Sequence, residues 1–289
     1  MIEIGSSWNS FERVKETIRN MDYLCSLNYN DNVEFNFCEF ARPISIVPIS
    51  VLGFSKNLNF EGYPAYLENI GFPYGQEVSG YIREGARHIP LTRADLTGLS
   101  FLEREEKLRN LSDFYNSLLN RNIITDEEFL DLVGNNVSAL LITEMVDNIT
   151  EHSSAENSFI FSQYWERTDS CEICLADDGI GMYQSLIDAE RDVESDLDAI
   201  KQIIEDCLSA KDEFGSIKRG TGIRNAINLL SNNELKGYFC VISGSAGYYI
   251  DNTGIDGFLN LENLNWNGTI INMGFTKPDN KLDIYEFIR

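Results

Sequence analysis

Residues 141–154 read LITEMVDNITEHSS, and this stretch decides how the second half of the chain is interpreted. It lies in a longer run, VGNNVSALLITEMVDNITEHSS, whose apolar spacing predicts a helix that ends near Ser153. Glu144, Asn148 and His152 recur every four residues, so they lie on one helical face and spread over only about 80°. Such a row is either the solvated side of an amphipathic helix or the lining of a site.

The sequence that follows this helix predicts the surrounding fold. NSFIFSQYWERTDSCEICLADDGIGM predicts two β-strands around a polar turn, and GYFCVISGSAGYYI predicts a hairpin. SIKRGTGIRNAINLLSNN is a glycine-rich turn that leads into a helix, and NGTIINMGF is a closing strand. This order predicts an α+β sandwich, with helices on one face of a mostly antiparallel sheet.

Three short motifs follow the helix along the chain. Asp177–Gly181 (DDGIG) comes after a strand, Gly220–Gly222 (GTG) comes before a helix, and Asn267–Thr269 (NGT) comes before a strand. Taken alone, they are explained as a turn after a strand, a helix cap and a hairpin turn. Their order is more informative than any one of them.

The complete series resembles the GHKL superfamily, the ATPases of histidine-kinase, gyrase, chaperone and mismatch-repair type. The row on the helix matches the N box, DDGIG and GTG match the two glycine boxes, and Gly268-Thr269 matches the last motif. The resemblance covers roughly residues 130–275, and the N box is most similar to that of the stand-alone serine-kinase and anti-sigma branch. It implies an α/β sandwich of the GHKL (Bergerat) type with a mixed, antiparallel-rich sheet, and ATP and Mg²⁺ as cofactors.

The residues of the first and last motifs suit an adenine base. Asp177, at the end of a strand, can accept a hydrogen bond from the adenine amino group. Thr269 can complete the polar binding site around this group. A carboxylate that only accepts prefers this edge to that of guanine, which presents a carbonyl there. Gly179 and Gly181 let the backbone approach the base closely.

The turn before the helix that begins near Ile223 suits phosphates. The N–H groups and the positive dipole end at the start of this helix can receive phosphate oxygens. The residues predicted to bind there are Lys218, Arg219, Gly220 and Gly222, and the resemblance adds Thr221 and His152 to the nucleotide site.

The long helix itself is predicted to supply a metal ligand and a catalytic residue. Asn148 offers a neutral oxygen to Mg²⁺, a hard ion that bridges triphosphate oxygens while it keeps several waters. Glu144, one turn earlier on the same face, can polarise a water or hydroxyl aimed at the γ-phosphate. The row of polar residues is therefore predicted to line a site.

The chain departs from the family pattern in two places. The second glycine box often has a third glycine two positions on, where this chain has Arg224, either a phosphate ligand or a helix-surface charge. No histidine phosphoacceptor helix is visible, since His88 lies in the turn-like GARHIPLT, so a histidine autokinase is not expected. The acidic stretch 183–218 occupies the position of the family's ATP lid, although a solvated helix explains it as well.

The chain has 289 residues, which suits two domains. Residues 1–125 are predicted to form a smaller α/β domain, and residues 126–289 the ATP-binding domain. In the first domain NVEFNFCEF predicts a strand, ISIVPISVLGF is either a buried strand or a covered helix, and REGARHIPLTRADLTGL is predicted to be turn-rich. A helix is predicted over residues 10–21, with Asn9 and Ser10 as the candidates for its cap. The pattern is similar to that of STAS-type domains, the anti-sigma-antagonist fold, which implies a regulatory or partner-binding role.

Composition excludes several classes of function. The formal charge is −23 and the sequence pI is near 4.4, so the surface repels phosphodiesters and nucleic-acid binding is not expected. No apolar run approaches the roughly 20 residues of a membrane helix, and the first residues lack a secretory pattern, so a cytoplasmic protein is expected. Cys171 and Cys174 of the CEIC motif would lie on opposite faces of a strand, which argues against a metal clip.

These observations predict a Mg²⁺-dependent ATP-binding protein that hydrolyses ATP slowly or transfers a phosphoryl group to a protein partner in signalling. The alternative is a nucleotide-gated interaction module without turnover, in which ATP only orders the lid and the docking surface. The presence of Glu144 favours an enzyme. A protein partner or phosphoacceptor is expected in both cases, and a homodimer is left open.

Overall fold

The computed structural model describes residues 1–4, 9–37, 41–77, 87–119, 127–133, 135–152, 154–206 and 222–283. The elements of the N-terminal part are β1 (Ile2–Ile4), α1 (Ser10–Cys25), β2 (Asn32–Phe37), α2 (Pro43–Ser55), β3 (Asn59–Glu61) and α3 (Ala65–Asn69). They are followed by β4 (His88–Asp95), α4 (Phe101–Leu118), α5 (Glu127–Val133), α6 (Asn135–His152), β5 (Asn157–Trp165), β6 (Ser170–Asp177), α7 (Gly181–Asp188), α8 (Asp196–Glu205), α9 (Gly222–Leu230), β7 (Tyr238–Gly244), β8 (Ala246–Asp251), β9 (Asp256–Asn260) and β10 (Trp266–Thr276).

A seven-stranded sheet lies at the centre of the α+β fold. Its strand order is β4-β5-β6-β10-β7-β8-β9, and every neighbouring pair is antiparallel. β10, the predicted closing strand, is the last strand of the chain but lies in the middle of the sheet, between β6 and β7. A smaller parallel sheet has the order β1-β2-β3.

One face of the large sheet, called the helix-side face, is covered by α4, α6, α8 and α9. Its buried side chains recur at every second position of the strands, as in Ile173 and Leu175 of β6. The apolar side of α6 packs into the same core through Leu141, Met145 and Ile149. Glu144 and Asn148 lie on the other side of that helix and are half-buried.

The opposite face, called the N-terminal face, is covered by α2. Phe159, Phe161 and Cys174 project from β5 and β6 into this second core. Every residue of 43–53 is buried in α2, which contacts β5, β6, β10 and α1. A helix that is apolar on all sides must be covered on all sides, so ISIVPISVLGF forms the helix of the two alternatives.

β4 contradicts one prediction. REGARHIPLTRADLTGL was expected to be turn-rich, yet residues 88–95 form an edge strand of the large sheet. Pro90 lies where the pairing with β5 shifts register between Ile89 and Thr92, and edge strands tolerate a residue without an N–H. β4 therefore lies before the predicted domain boundary at residue 125, although its sheet partners lie after it.

Other local predictions are confirmed. Asn9 caps α1, because its side chain accepts the Glu12 N–H at 3.0 Å. Cys171 points into the helix-side core and Cys174 into the N-terminal core, so the two thiols lie on opposite sides of β6. In the part of the chain that the structure describes, no helix is both long and apolar enough to cross a membrane.

Candidate functional site

The candidate site lies where α6 meets the end of the large sheet. α6 leads directly into β5, and β5 pairs along its length with β6, so the C-terminal end of α6 lies near the end of β6. Asp177 is the last residue of β6. It projects onto the helix-side face, because it has the same parity along the strand as Ile173 and Leu175.

Asp177 is a buried carboxylate with backbone partners. Only 1% of the residue is exposed, and Oδ1 accepts the Gly179 N–H at 2.8 Å. Burial raises the pKa of Asp177 to about 7, and the charge of Asp178 acts in the same direction. The backbone N–H groups of Gly179 and Thr269 and the Arg104 guanidinium oppose this rise in pKa. The carboxylate thus lies in a site that disfavours its charge.

The neighbouring Asp178 has a structural role instead. Its carboxylate accepts the backbone N–H groups of Glu156 and Asn157, each at 2.8 Å, and the Asn157 Nδ2 group at 2.8 Å. These bonds hold the connection between α6 and β5. Of the two adjacent aspartates, only Asp177 faces the candidate site.

Gly268 and Thr269 of β10 lie directly against Asp177. Gly268 has a φ of 107°, and a Cβ there would overlap the Asp177 carbonyl group. The pairing of β10 with β7 shifts register between Trp266 and Thr269, which is the bulge that glycine allows. Thr269 shares the parity of Ile271, so its half-buried side chain lies on the helix-side face beside Asp177.

Gly181 is required by contacts within the protein. Its φ is 74°, and a Cβ there would lie 2.9 Å from Ser243 Oγ and 3.2 Å from the Gly268 carbonyl oxygen. Ser243 Oγ accepts the Met182 N–H at 2.9 Å and donates to the Gly268 carbonyl oxygen at 2.9 Å. This serine joins the start of α7 to β10. The predicted role of Gly181 toward a base stays a prediction.

The other end of the polar row on α6 meets the start of α9. A Cβ at Gly222 would overlap the Glu144 carboxylate, so these two residues are in close contact. Asn148 lies between the two ends, and its buried Nδ2 atom has no hydrogen-bond partner in the described ranges. His152 lies in α6, but its side chain is outside the described residues.

The remaining predicted phosphate-binding residues, Lys218, Arg219, Gly220 and Thr221, lie outside the described residues. Arg224 is exposed, and its Nη1 atom donates to the Glu205 carbonyl oxygen at 3.0 Å. In this position it stabilises the C-terminal end of α8.

The first part of the predicted lid is packed against the sheet. Residues 184–206 include most of α7 and all of α8, and residues 207–218 lie outside the described part of the chain. The Asp196 carboxylate, in the first turn of α8, accepts the Ser245 N–H at 2.9 Å and the Ser245 hydroxyl at 2.8 Å. The helical interpretation of the acidic stretch is thus confirmed for α8.

Sequence reasoning missed three residues near Asp177. The charge of Arg104, on α4, lowers the pKa of Asp177, and its Nη2 group donates to the Ala155 carbonyl oxygen at 2.7 Å. Ser243 holds the adjoining glycines, and Ser158 of β5 is paired in register with Asp177. Aligning the two predicted strands around their polar turn is the signal that would have found Ser158. No local sequence pattern indicates Arg104 or Ser243.

A separate groove of about 490 Å³ opens near the start of β6 and the end of β10. It therefore lies at the opposite end of β6 from Asp177. Its lysines are engaged in ion pairs, Lys277 with Glu128 at 2.6 Å and Lys236 with Asp279 at 3.0 Å.

The candidate site thus combines a desolvated acceptor at one end with a carboxylate against a helix start at the other. Within the described ranges, no group of three or more His, Cys, Asp or Glu side chains converges to hold a metal ion. A divalent ion here would depend on the Asn148 amide together with oxygens of a ligand. No protein-family model matches this chain, and no curated protein matches its sequence.

Proposed function

We propose that this chain binds ATP with Mg²⁺ between α6 and the end of the large sheet, as a Bergerat-type domain of the GHKL class. It hydrolyses ATP slowly or transfers the γ-phosphoryl group to a protein partner. The observation that carries the proposal is Asp177, a buried carboxylate for which no ion pair occurs among the described residues. Such a group destabilises the fold, and titratable groups perturbed in this way concentrate at functional sites.

The shape of the ligand follows from the two ends of the site. Asp177 accepts hydrogen bonds, which suits the amino edge of a base. The start of α9 carries the positive end of a helix dipole, which suits phosphates. The row from Glu144 to His152 spans about 12 Å along the helix axis, so the base and the phosphates are bound apart.

The residues of α6 have separate roles in this proposal. Among the described residues, the Asn148 Nδ2 group has no acceptor, so the amide can turn its oxygen to a metal ion. Bound Mg²⁺ neutralises charge on the phosphate oxygens. Glu144, in contact with the first residue of α9, orients and deprotonates the water or hydroxyl that attacks.

The N-terminal part, whose pattern is similar to that of STAS-type domains, transmits the nucleotide state to the partner. Two contacts support this assignment. α2 packs on β5 and β6, and Arg42 at its start forms an ion pair with Glu172 of β6 at 3.0 Å. The same strand ends at Asp177.

The test is incubation of the purified protein with γ-labelled ATP and Mg²⁺, with and without cell lysate, alongside a direct binding titration. Free phosphate indicates an ATPase, and a labelled protein indicates a kinase. Binding without either product supports the gated module without turnover. The absence of ATP binding at millimolar nucleotide overturns the proposal.

Glu144→Gln tests the chemistry separately from binding. Turnover should fall by about 10²–10⁴-fold, the usual contribution of a positioned general base, while ATP affinity stays near that of the wild type. Asp147→Asn, an exposed acid on the same helix but outside the polar row, is the matched control. Equal turnover in both variants would remove Glu144 from the mechanism.

A further inference from the structure

Ser158 lies beside Asp177 on the adjacent strand. β5 and β6 are antiparallel, and Ser158 is the direct cross-strand partner of Asp177. Directly opposite residues project from the same face, with Cβ atoms about 4.5–5.5 Å apart. Ser158 shares the parity of Ile160, which belongs to the helix-side core. Both side chains therefore start next to each other on the face that α6 covers.

The Ser158 hydroxyl is buried, and the residue is 0% exposed. Its Oγ atom has no hydrogen-bond partner among the described residues. The side chain of the preceding residue, Asn157, is already engaged, because its Nδ2 group donates to Asp178. A buried hydroxyl without a partner is unfavourable, which makes Ser158 an open donor at the base end of the site.

We infer that Ser158 is a base-recognition residue, whose hydroxyl donates to a ring nitrogen next to the amino group of a 6-aminopurine. The inference rests on the proposed ATP binding and adds a second contact to it. Adenine has an acceptor nitrogen on each side of its amino group, N1 on one side and N7 on the other. The ionised Asp177 carboxylate can only accept and takes the amino group, whereas a serine hydroxyl can donate to the adjoining nitrogen.

Ser162 provides a matched control in the same strand. It is also 0% exposed, its Oγ also lacks a partner within the part of the chain that the structure describes, and it lies on the same face four residues further along. Its cross-strand partner is Ile173 instead of Asp177. An effect of losing any buried serine hydroxyl from β5 should appear in Ser162→Ala as well. A contact with the base should appear only in Ser158→Ala.

The experiment measures Mg²⁺-dependent binding of ATP, 1-deaza-ATP and 7-deaza-ATP to the wild type, Ser158→Ala and Ser162→Ala by titration calorimetry. Ser158→Ala should weaken ATP binding about 3- to 10-fold, the effect of one neutral hydrogen bond, and Ser162→Ala by less than about two-fold. The analogue that lacks the contacted nitrogen should bind the wild type about 3- to 10-fold more weakly than ATP does. Ser158→Ala should bind that analogue and ATP with the same affinity. Thermal unfolding of each variant checks that it is folded.

Two results overturn the assignment of Ser158 alone. In the first, the wild type binds ATP, yet Ser158→Ala and Ser162→Ala bind ATP with equal affinity. In the second, the wild type binds ATP and both deaza analogues with the same affinity, a comparison that needs no variant. If the wild type binds no ATP, the proposed function fails and the assignment of Ser158 fails with it.

Discussion

β6 carries two buried carboxylates, and their surroundings differ. Glu172, on the N-terminal face, is 1% exposed, and the Arg42 guanidinium lies 3.0 Å from its carboxylate. The Ile44 N–H, in the first turn of α2, also donates to it at 3.4 Å. Asp177, on the helix-side face, is equally buried but has hydrogen bonds from backbone N–H groups and, in the described part of the chain, no ion pair.

Under the proposed function, the difference separates a carboxylate that holds the fold together from one that is kept for a ligand. A buried charge with a close counter-ion and hydrogen bonds is compensated inside the protein. A buried carboxylate without a counter-ion raises the free energy of the folded state, as the raised pKa of Asp177 indicates. Four predictions test this comparison.

The largest effect is expected from breaking the pair on the N-terminal face. Glu172→Met removes the carboxylate that lies 3.0 Å from the Arg42 guanidinium, and the Arg42 side chain is only 12% exposed. Loss of one partner of a buried pair should lower the free energy of unfolding by about 3–5 kcal/mol. The double variant Arg42→Met/Glu172→Met should recover most of that loss, because no charge is left buried. Urea unfolding measures both, and a double variant no more stable than the single one contradicts the prediction.

The second prediction concerns the pH dependence of stability. The carboxyl of Asp177 has a pKa of about 7 in the folded state against an ordinary pKa of 3.8, so the folded state binds its proton more tightly than the unfolded state. Its contribution to stability is therefore present at low pH and is lost as pH rises from about 4 to about 7. At roughly 1.4 kcal/mol per pKa unit, the loss is up to about 4 kcal/mol.

Asp177→Asn removes this titration and should be more stable than the wild type at pH 8, with the advantage shrinking toward pH 5.5. Unfolding by denaturant is measured between these two pH values. This pH range lies above the sequence pI near 4.4, at which the net charge would vanish and the protein would associate. The difference between the two proteins isolates Asp177 from the other carboxylates. A constant difference across this range would show that Asp177 titrates normally.

The third prediction concerns ATP affinity. The variant Asp177→Asn should bind ATP more weakly than the wild type although its fold is more stable. Asp177→Asn should weaken ATP binding by about 10–150-fold, the effect of one charge-assisted hydrogen bond of about 1.5–3 kcal/mol. A competition titration should also show that the wild type prefers ATP to GTP. Equal binding of the two nucleotides by the wild type would rule out base recognition by Asp177.

The smallest effect is expected from Arg104, whose charge lowers the pKa of Asp177 from α4. Arg104→Gln should raise that pKa further, so the pH at which ATP affinity is half-maximal should move upward by less than about one unit. Lys107→Gln is a control on the same helix, because Lys107 donates to the Asp95 carbonyl oxygen and not toward Asp177. Calorimetric titrations at several pH values measure both variants. An identical shift in both would assign the effect to the net charge of the protein.

Local sequence patterns were sufficient for the elements around the site. The helical spacing of α6 and the alternation in β5 and β6 are periodicities of neighbouring residues, and these elements are present. The polar row on α6 follows from the same periodicity, since positions four apart share a helical face. These features depend on the chain within a few turns or strand positions, which is why the sequence alone predicts them.

Tertiary structure decided which of the polar residues face one another. Asp177 and Asp178 are indistinguishable by pattern, yet strand parity sends one to the site and leaves the other to hold a loop. Arg42 and Glu172 are 130 residues apart, and only the packing of α2 on the N-terminal face brings them together. β4 entered the sheet despite Pro90 because it lies at an edge. Register and the identity of the covering element arise from hydrogen bonds and packing between distant segments, and no local periodicity encodes them.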